Sequence, residues 1–255
     1  MRAVRAAARL QWWLMRGGLD ERQSFVLAPL FVLLFAGVVR ARGHEELTAQ
    51  AALGATLVCL WNLCVQISGG VVANERRFGT FELTAAAPAP FPTVVIGRVT
   101  TVAAVALLVV PEVWLATLLF FGEAIEVPHP GLFLAGIVLI TFGMAAVGTL
   151  IAALFVYARN VVYLQVAFTY PFFILGGLVV PVSLLPEWVQ PVSRLVFLSW
   201  GADLLRAALN PEAPRDVGMQ IAGLFTVSAL TFAAGWLLLT RLVDRARGHG
   251  TLGRA

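Results

Sequence analysis

Four polar side chains stand inside otherwise apolar stretches of the sequence, where they are the clearest candidates for chemistry: Asn62, Gln66, Glu112 and Gln165. Asn62 and Gln66 share one face of a helix because they are four residues apart. Amide and carboxylate groups in a lipid-spanning helix either line a transport path or hydrogen-bond neighbouring helices. Asn62 and Gln66 fit both roles. Glu112, beside a predicted kink at Pro111, is either a proton or cation site or an acid that reaches interfacial water.

The basic residues exclude one class of nucleotide site. All 18 are arginine, so the chain lacks the lysine that contacts the β- and γ-phosphates in a P-loop, and lysine-based covalent catalysis is excluded as well. Any ATP and Mg²⁺ that power this protein are therefore expected on another polypeptide. The scattered histidines and the spacing of Cys59 and Cys64 predict neither a metal site nor a disulfide framework. We find no convergent acid, base and nucleophile, and expect no enzymatic activity.

A charged island, Asn74 to Pro88 (NERRFGTFELTAAAP), separates two long apolar stretches. Gly79 permits a turn, and the hydroxyl of Thr80 can cap a following helix. Glu82 then falls in the first turn of that helix, where the helix dipole favours a carboxylate, and the proline ends it. The pattern predicts a short water-exposed helix at residues 74–88. Such a helix either receives force from a soluble partner or anchors its arginines to lipid phosphates.

Composition predicts that lipid surrounds most of the chain. Hydrophobic residues make up 60% of the sequence, charged residues 13%, and the mean hydropathy is +0.87. A helix needs about 20 apolar residues to cross a bilayer. Six stretches of this kind predict an all-α integral membrane fold with six transmembrane helices: Ser24 to Val39, Ala49 to Ala73, Thr93 to Phe121, Gly131 to Tyr157, Val161 to Pro181 and Val217 to Thr240.

The distribution of arginine predicts the orientation. If the N-terminus is cytoplasmic, 13 of the 18 arginines lie on the cytoplasmic side of the six spans and 5 lie outside. The positive-inside rule then favours two cytoplasmic termini and a cytoplasmic island. The sequence pI near 9.8 reflects the same arginines, which suit a membrane surface rather than nucleic acid.

Residues 1–22 form a predicted amphipathic helix in the headgroup layer. Its arginines fall on one stripe at 100° per residue, with Trp12 and Trp13 flanking them. Val4, Leu10 and Leu14 lie away from that stripe. An arginine-rich, acid-poor start of this kind also resembles a mitochondrial transit peptide. The all-arginine, alanine-rich composition instead indicates a bacterial gene, and hence the plasma (inner) membrane.

Residues 182–209 are apolar but broken by prolines and charges. Such a segment cannot cross lipid, although it can dip into the membrane under protein cover. We therefore expect a re-entrant hairpin on the outer side. A plain outer loop with two surface helices is the alternative.

Two motifs resemble the membrane subunits of ABC-2 type transporters, permeases that pair with separate ATP-binding subunits. The first matches an E-x-x-x-G-T-x-E-x-L run that ends in proline: Glu75, Gly79, Thr80, Glu82, Leu83 and Pro88. The second combines an apolar glycine, a proline, a Leu-Pro-x-Trp run and a trailing Asp-x-x-Arg: Gly177, Pro181, Leu185, Pro186, Trp188, Leu198, Asp203 and Arg206. With the six spans, the similarity extends over nearly all of residues 1–255, a single transmembrane domain.

The resemblance implies a role for each motif. The first would be a coupling helix that docks on a separate ABC ATPase subunit, and the second a re-entrant motif. The coupling residues would be Glu75, Arg76, Arg77, Gly79, Thr80, Glu82 and Leu83. We expect a homodimer, or a heterodimer with a similar permease, that exports a hydrophobic or lipid-like substrate. The alternative function is a proton-coupled secondary transporter that uses Glu112.

Overall fold

The described part of the chain is helical. The computed structural model describes residues 2–17, 19–77, 91–155, 161–212 and 216–248, and these residues contain no strand. The predicted all-α class is therefore confirmed for them. The α-helices are α1 (Arg2–Gly17), α2 (Leu19–Ala41), α3 (Thr48–Arg77), α4 (Phe91–Ala106), α5 (Val109–Phe121), α6 (Pro130–Phe155), α7 (Val161–Leu175), α8 (Gln190–Ser193), α9 (Phe197–Leu209) and α10 (Val217–Gly248). Single 3-10 turns occupy Glu45–Leu47 and Val182–Leu184.

The outer surface of the bundle is apolar. Leu119 and Leu230 are 72% and 67% exposed, and many other large apolar side chains face outward. A surface of this kind is stable in lipid rather than in water. Four stretches are long and apolar enough to cross a bilayer: Thr48–Ser68, Phe91–Phe121, Pro130–Leu154 and Val217–Arg241. Two shorter apolar helices accompany them, Val26–Ala41 and Gln165–Leu175. The chain is thus a multi-pass membrane protein.

Helix α3 forms the centre of the bundle. Its apolar window is 78% buried, whereas that of α10 is 17% buried, and α3 packs against α2, α4, α6 and α7. Trp61 of α3 is fully buried and stacks on Phe172 of α7, with ring centroids 4.5 Å apart. On α6, the backbone oxygen of Met144 accepts a hydrogen bond from Cys64 Sγ at 3.1 Å. Helix α3 is consequently held in place by both α6 and α7.

Two distinct ends of the bundle are defined by contacts between helix termini. At the first, which we call the Arg40 end, Arg40 in the last turn of α2 pairs with Glu123, which follows α5, at 2.6 Å. The backbone N–H of His129 bonds there to the oxygen of Ala208 at 3.2 Å. The opposite end, called the Arg98 end, contains α1, the last turns of α3 and the first turns of α4.

The third apolar stretch is less continuous than predicted. Instead of one helix kinked at Pro111, the structure has α4 and α5 with an interruption at Leu107 and Leu108. Proline has no N–H to bond to the residue four positions earlier. Near it, the N–H of Val110 bonds to the oxygen of Leu107 at 3.1 Å, which is the tighter pattern of a 3-10 turn.

The fifth apolar stretch is shorter than predicted. It was expected to reach Pro181, but helix α7 ends at Leu175. Gly177 has φ 67°, a conformation that glycine adopts most easily. Its N–H bonds to the oxygen of Ile174, and the next N–H bonds to that of Phe173, which is the Schellman pattern of a helix end.

After α8 the chain returns to the middle of the bundle. Phe197, the first residue of α9, is buried against Gly143, halfway along α6. Its ring lies 6.5 Å from that of Trp61. From this depth α9 runs back along α6 to Ala208 at the Arg40 end. Helix α9 therefore starts inside the bundle and ends at its surface.

Candidate functional site

The charged island begins within the described structure and continues beyond it. Glu75, Arg76 and Arg77 are the last residues of α3, at the Arg98 end, and their side chains are not among those described. The other four coupling residues lie outside the described residues: Gly79, Thr80, Glu82 and Leu83. The coupling helix therefore stays a prediction.

Arg98 joins three helices at this end. Its Nε donates a 2.8 Å hydrogen bond to Oε1 of Gln11 in α1, and its Nη1 donates to the oxygen of Val71 in α3 at 3.4 Å. Arg98 is 4% exposed and Gln11 is 3% exposed. A buried guanidinium is stable only with such partners. We call this set of three residues the Arg98 node.

The sequence analysis missed the Arg98 node. Arg98 contributed only to the count of charges, and Gln11 lay unremarked among the arginines of the first helix. The available signal was an arginine within the apolar stretch of α4, since a charge in such a place usually has a defined partner.

Gly97 allows α1 to approach α4 closely. A Cβ on Gly97 would lie 3.0 Å from the oxygen of Val4 and 3.1 Å from Cβ of Ala7. On the packed row of α1, Ala7 is buried, whereas Arg5 and Arg9 are exposed on another row. Helix α1 thus forms a packed part of the bundle, and its predicted place in the headgroup layer stays a prediction.

The second motif converges on one arginine. Nη2 of Arg206 donates to the oxygen of Gly177 and, at 3.5 Å, to that of Leu178, where the chain leaves α7. Asp203 Oδ1 lies 3.8 Å from Arg206 Nη1, and Oδ2 accepts a 2.7 Å hydrogen bond from Arg194 Nη1. The structure therefore brings Gly177, Asp203 and Arg206 together. We call these residues, with Leu178 and Arg194, the Arg206 cluster.

Burial distinguishes the two arginines of this cluster. The side chain of Arg206 is 13% exposed and that of Arg194 is 40% exposed. Burial lowers the pKa of Arg206 below its ordinary value, and the charge of Asp203 opposes this shift. Arg194 lies over the ring of Trp200 at 4.7 Å, and Trp200 Nε1 donates to the oxygen of Arg194 at 2.8 Å. Arg206 is the inner residue and Arg194 the outer one.

The remaining residues of the second motif lie apart from this cluster. Pro181 precedes the 3-10 turn, and its oxygen accepts a hydrogen bond from the N–H of Leu184 at 3.0 Å. The oxygen of Pro186 accepts one from the N–H of Val189 at 2.8 Å. Trp188 is 79% exposed, so its ring presents an open apolar surface at the Arg40 end.

The predicted pathway residues of α3 form an open polar edge beside α7. Asn62 is half-buried and donates from Nδ2 to the oxygen of Val58 in its own helix at 3.1 Å. The side chain of Gln66 is exposed, and its backbone oxygen accepts a 2.9 Å hydrogen bond from Gln165 of α7. Gln165, rather than Asn62 or Gln66, therefore supplies the side-chain bond between the helices. Tyr170 of α7 is also 64% exposed.

Glu112 lies in the first turn of α5, directly after Pro111. Its Oε2 atom is buried and has no hydrogen-bond partner among the described residues. Such an oxygen lacks the bond that would offset its removal from water.

The sequence from residue 3 to residue 210 matches the family model of the ABC-2 type transporter. The match extends from α1 to the residue after α9 and includes both motifs. The chain belongs to the ABC-2 type transporter family. No match is found among curated proteins.

In this ABC-2 permease, helix α10 lies beyond the matched residues, while all three groups described above lie within them. These groups are the Arg98 node, the polar edge of α3 and the Arg206 cluster. Their interactions are hydrogen bonds and charge pairs between helices. Such contacts hold the helices of this membrane domain to one another.

Proposed function

We propose that this permease is the membrane half of an ATP-driven exporter and that a separate ABC ATPase subunit binds the ATP and Mg²⁺. The Arg98 node carries the proposal. The charged island begins at the end of α3 and leads into α4, and Arg98 joins these two helices to α1. A soluble subunit that pushes on the island therefore displaces three connected helices. This is the mechanical role of a coupling helix.

The proposed topology has six spans, with the Arg98 end and both termini in the cytoplasm of a bacterium. The six apolar segments of the structure support it, together with the arginine distribution. Residues 182–209 would then form a re-entrant hairpin at the outer side. The depth of Phe197, halfway along α6, supports that hairpin.

Two permease subunits would enclose the path, as a homodimer or with a similar partner. The polar edge of α3 supports this arrangement. Gln66 of α3 and Tyr170 of the neighbouring helix α7 both have exposed side chains, although each lies in an apolar segment. Lipid cannot satisfy such groups, whereas a second subunit or a solvated path can. The apolar helices around the edge suit a hydrophobic or lipid-like substrate.

Co-purification with the ATPase subunit tests the coupling role. The double variant Glu75→Arg, Glu82→Arg places two positive charges on the island and should lose the ATPase. Glu126→Arg is the matched control, because it reverses an exposed acid at the Arg40 end. Equal recovery of the ATPase with both variants would contradict the proposed docking role.

Proton coupling through Glu112 is the second candidate, and the unpartnered Oε2 atom is the observation that favours it. Vesicles that contain the permease and its ATPase distinguish the two mechanisms. Transport that requires ATP and persists without a pH gradient supports the exporter. Transport that follows the pH gradient and ignores ATP would select the proton-coupled mechanism.

A further inference from the structure

An open groove of about 470 Å³ lies between α1 and α4 on the outside of the bundle. Its α1 wall consists of Val4, Ala8 and Trp12, and its other wall extends from Gly97 in α4 to Leu108, just past the end of α4. Trp12 is 45% exposed and Leu108 is 53% exposed, so large apolar surfaces face the open space. A groove with such walls fits an apolar occupant.

The groove contains few polar groups, and these groups do not disfavour an apolar occupant. Its hydroxyls belong to Thr100 and Thr101, and Thr101 Oγ1 already donates to the oxygen of Gly97 at 2.8 Å. The part of this wall farthest from the Arg98 end is Ala104, Val105 and Leu108. This part of the groove therefore offers dispersion contacts, and no fixed array of donors and acceptors.

The direction of the groove fits a chain-like occupant. From Gly97 to Leu108 the groove follows α4 and the turn after it for roughly 16 Å, given the helical rise per residue. Helix α4 is part of the stretch Phe91–Phe121, which is long and apolar enough to cross a bilayer. The groove thus starts at the Arg98 end and runs inward along a spanning helix, in the direction of lipid acyl chains.

Two arginines lie beside the groove. Arg5 and Arg9 each follow a residue of the groove wall by one position, and both side chains are exposed. The row that contains Ala7 and Gln11 faces the bundle instead. Around α1, the groove wall therefore separates the packed row from the arginine row. Guanidinium groups in such a place bind phosphate through charge-assisted hydrogen bonds.

We propose that this groove binds an acyl chain of an anionic phospholipid from the surrounding bilayer, with its phosphate on Arg5 and Arg9. The bound lipid fills the space between α1 and α4 and stabilises the packing of α1 against the bundle. The site involves neither the charged island nor the polar edge of α3, so it stands whether or not the exporter proposal is correct.

Photo-crosslinking of the permease alone, in lipid nanodiscs, tests the site. The probe is phosphatidylglycerol with a diazirine in its tail, in a background of phosphatidylcholine, and mass spectrometry locates the adducts. We expect adducts on Trp12 and on residues 104–108, displaced by unlabelled phosphatidylglycerol and retained with added phosphatidylcholine. This experiment tests the site with the wild-type chain and needs no variant.

Variants separate the two parts of the site. Arg5→Gln and Arg9→Gln should each lower groove labelling by the anionic probe about fivefold. Labelling by a diazirine phosphatidylcholine should fall less, because the choline offsets the charge of its phosphate. Ala104→Trp should fill the groove and abolish its adducts. Leu119→Trp, at an exposed position of α5, is the matched control and should leave them intact.

Three outcomes would overturn the proposal. Adducts spread evenly over the exposed faces of α5 and α10 would mean contact with bulk lipid only. Equal labelling of the groove by the anionic and zwitterionic probes, both of which carry a phosphate, would show that Arg5 and Arg9 do not select an anionic headgroup. A disulfide between two copies of an Ala104→Cys variant would assign the groove to a protein interface. Because the ATPase is absent, none of these results bears on export.

Discussion

Arg98 in α4 and Gln11 in α1 form a 2.8 Å side-chain hydrogen bond although they are 87 positions apart and almost fully buried. The bond connects an amphipathic helix to the interior of the bundle. Since Arg98 also bonds to Val71, movement of α1 or of the end of α3 reaches α4 directly. The first prediction concerns this connection.

Gln11→Leu should destabilise the protein by about 1–3 kcal/mol, because the variant keeps the size of the side chain but removes an acceptor from a buried guanidinium. Thermal unfolding in detergent micelles measures the loss. Gln50→Leu is the matched control, since Gln50 is an exposed amide on α3. An equal loss in both variants would mean that the hydrogen bond to Arg98 contributes nothing.

Gly97→Ala should displace α1, because the new Cβ would meet the backbone oxygen of Val4, and the strain costs about 1–3 kcal/mol. A cysteine placed at Ala7 should then react faster with a water-soluble maleimide. Gly37→Ala is the control, because no atom lies within 4 Å of its added Cβ. That control should be neutral or stabilise by about 0.5–1 kcal/mol. Unchanged reactivity at position 7 would contradict a close helix contact.

Arg206→Gln should cost more stability than Arg194→Gln, although Arg194 makes the shorter ion pair with Asp203. Arg206 is mostly buried and bonds to the backbone where α7 ends, so its loss should cost about 2–3 kcal/mol. An ion pair as exposed as that of Arg194 contributes about 0–1 kcal/mol. Unfolding temperatures of the two variants give the order, and the reverse order would show that ion-pair distance outweighs burial here.

Glu112→Gln should preserve ATP-driven transport and leave stability unchanged or raised. The variant keeps the shape of the side chain and removes its charge. It breaks no hydrogen bond at Oε2, because that atom has no partner among the described residues. Transport by vesicles that contain the permease and its ATPase, measured at several pH values, checks this. Loss of transport together with loss of its pH dependence would favour the proton-coupled mechanism.

The family and the helical class could be predicted from the sequence, because both depend on local patterns. The run from Glu75 to Pro88 and the motif from Gly177 to Arg206 led to the ABC-2 family, which the match of residues 3–210 confirms. Apolar stretches of membrane length predicted where the long helices lie. The coupling role of the island remains a prediction, because its central residues lie outside the described structure.

Features that depend on distant residues could not be predicted in the same way. The end of α7 was placed too late, because the apolar run continues to Pro181, whereas the conformation of Gly177 and a bond from Arg206 define the helix end. The pairing of Arg98 with Gln11 has no signal in spacing at all. Hydrophobicity indicates which segments lie in the membrane, and only packing decides which polar groups meet.

The interruption at Leu107 and Leu108 divides one apolar crossing into two helices, α4 and α5. The Arg98 node connects α4 to its neighbours, and the ion pair of Arg40 with Glu123 holds the far end of α5. Because Pro111 removes a backbone hydrogen bond at this interruption, we expect the crossing to bend there before it bends elsewhere. Bending of this kind would move the Arg98 end while the Arg40 end stays fixed by its ion pair.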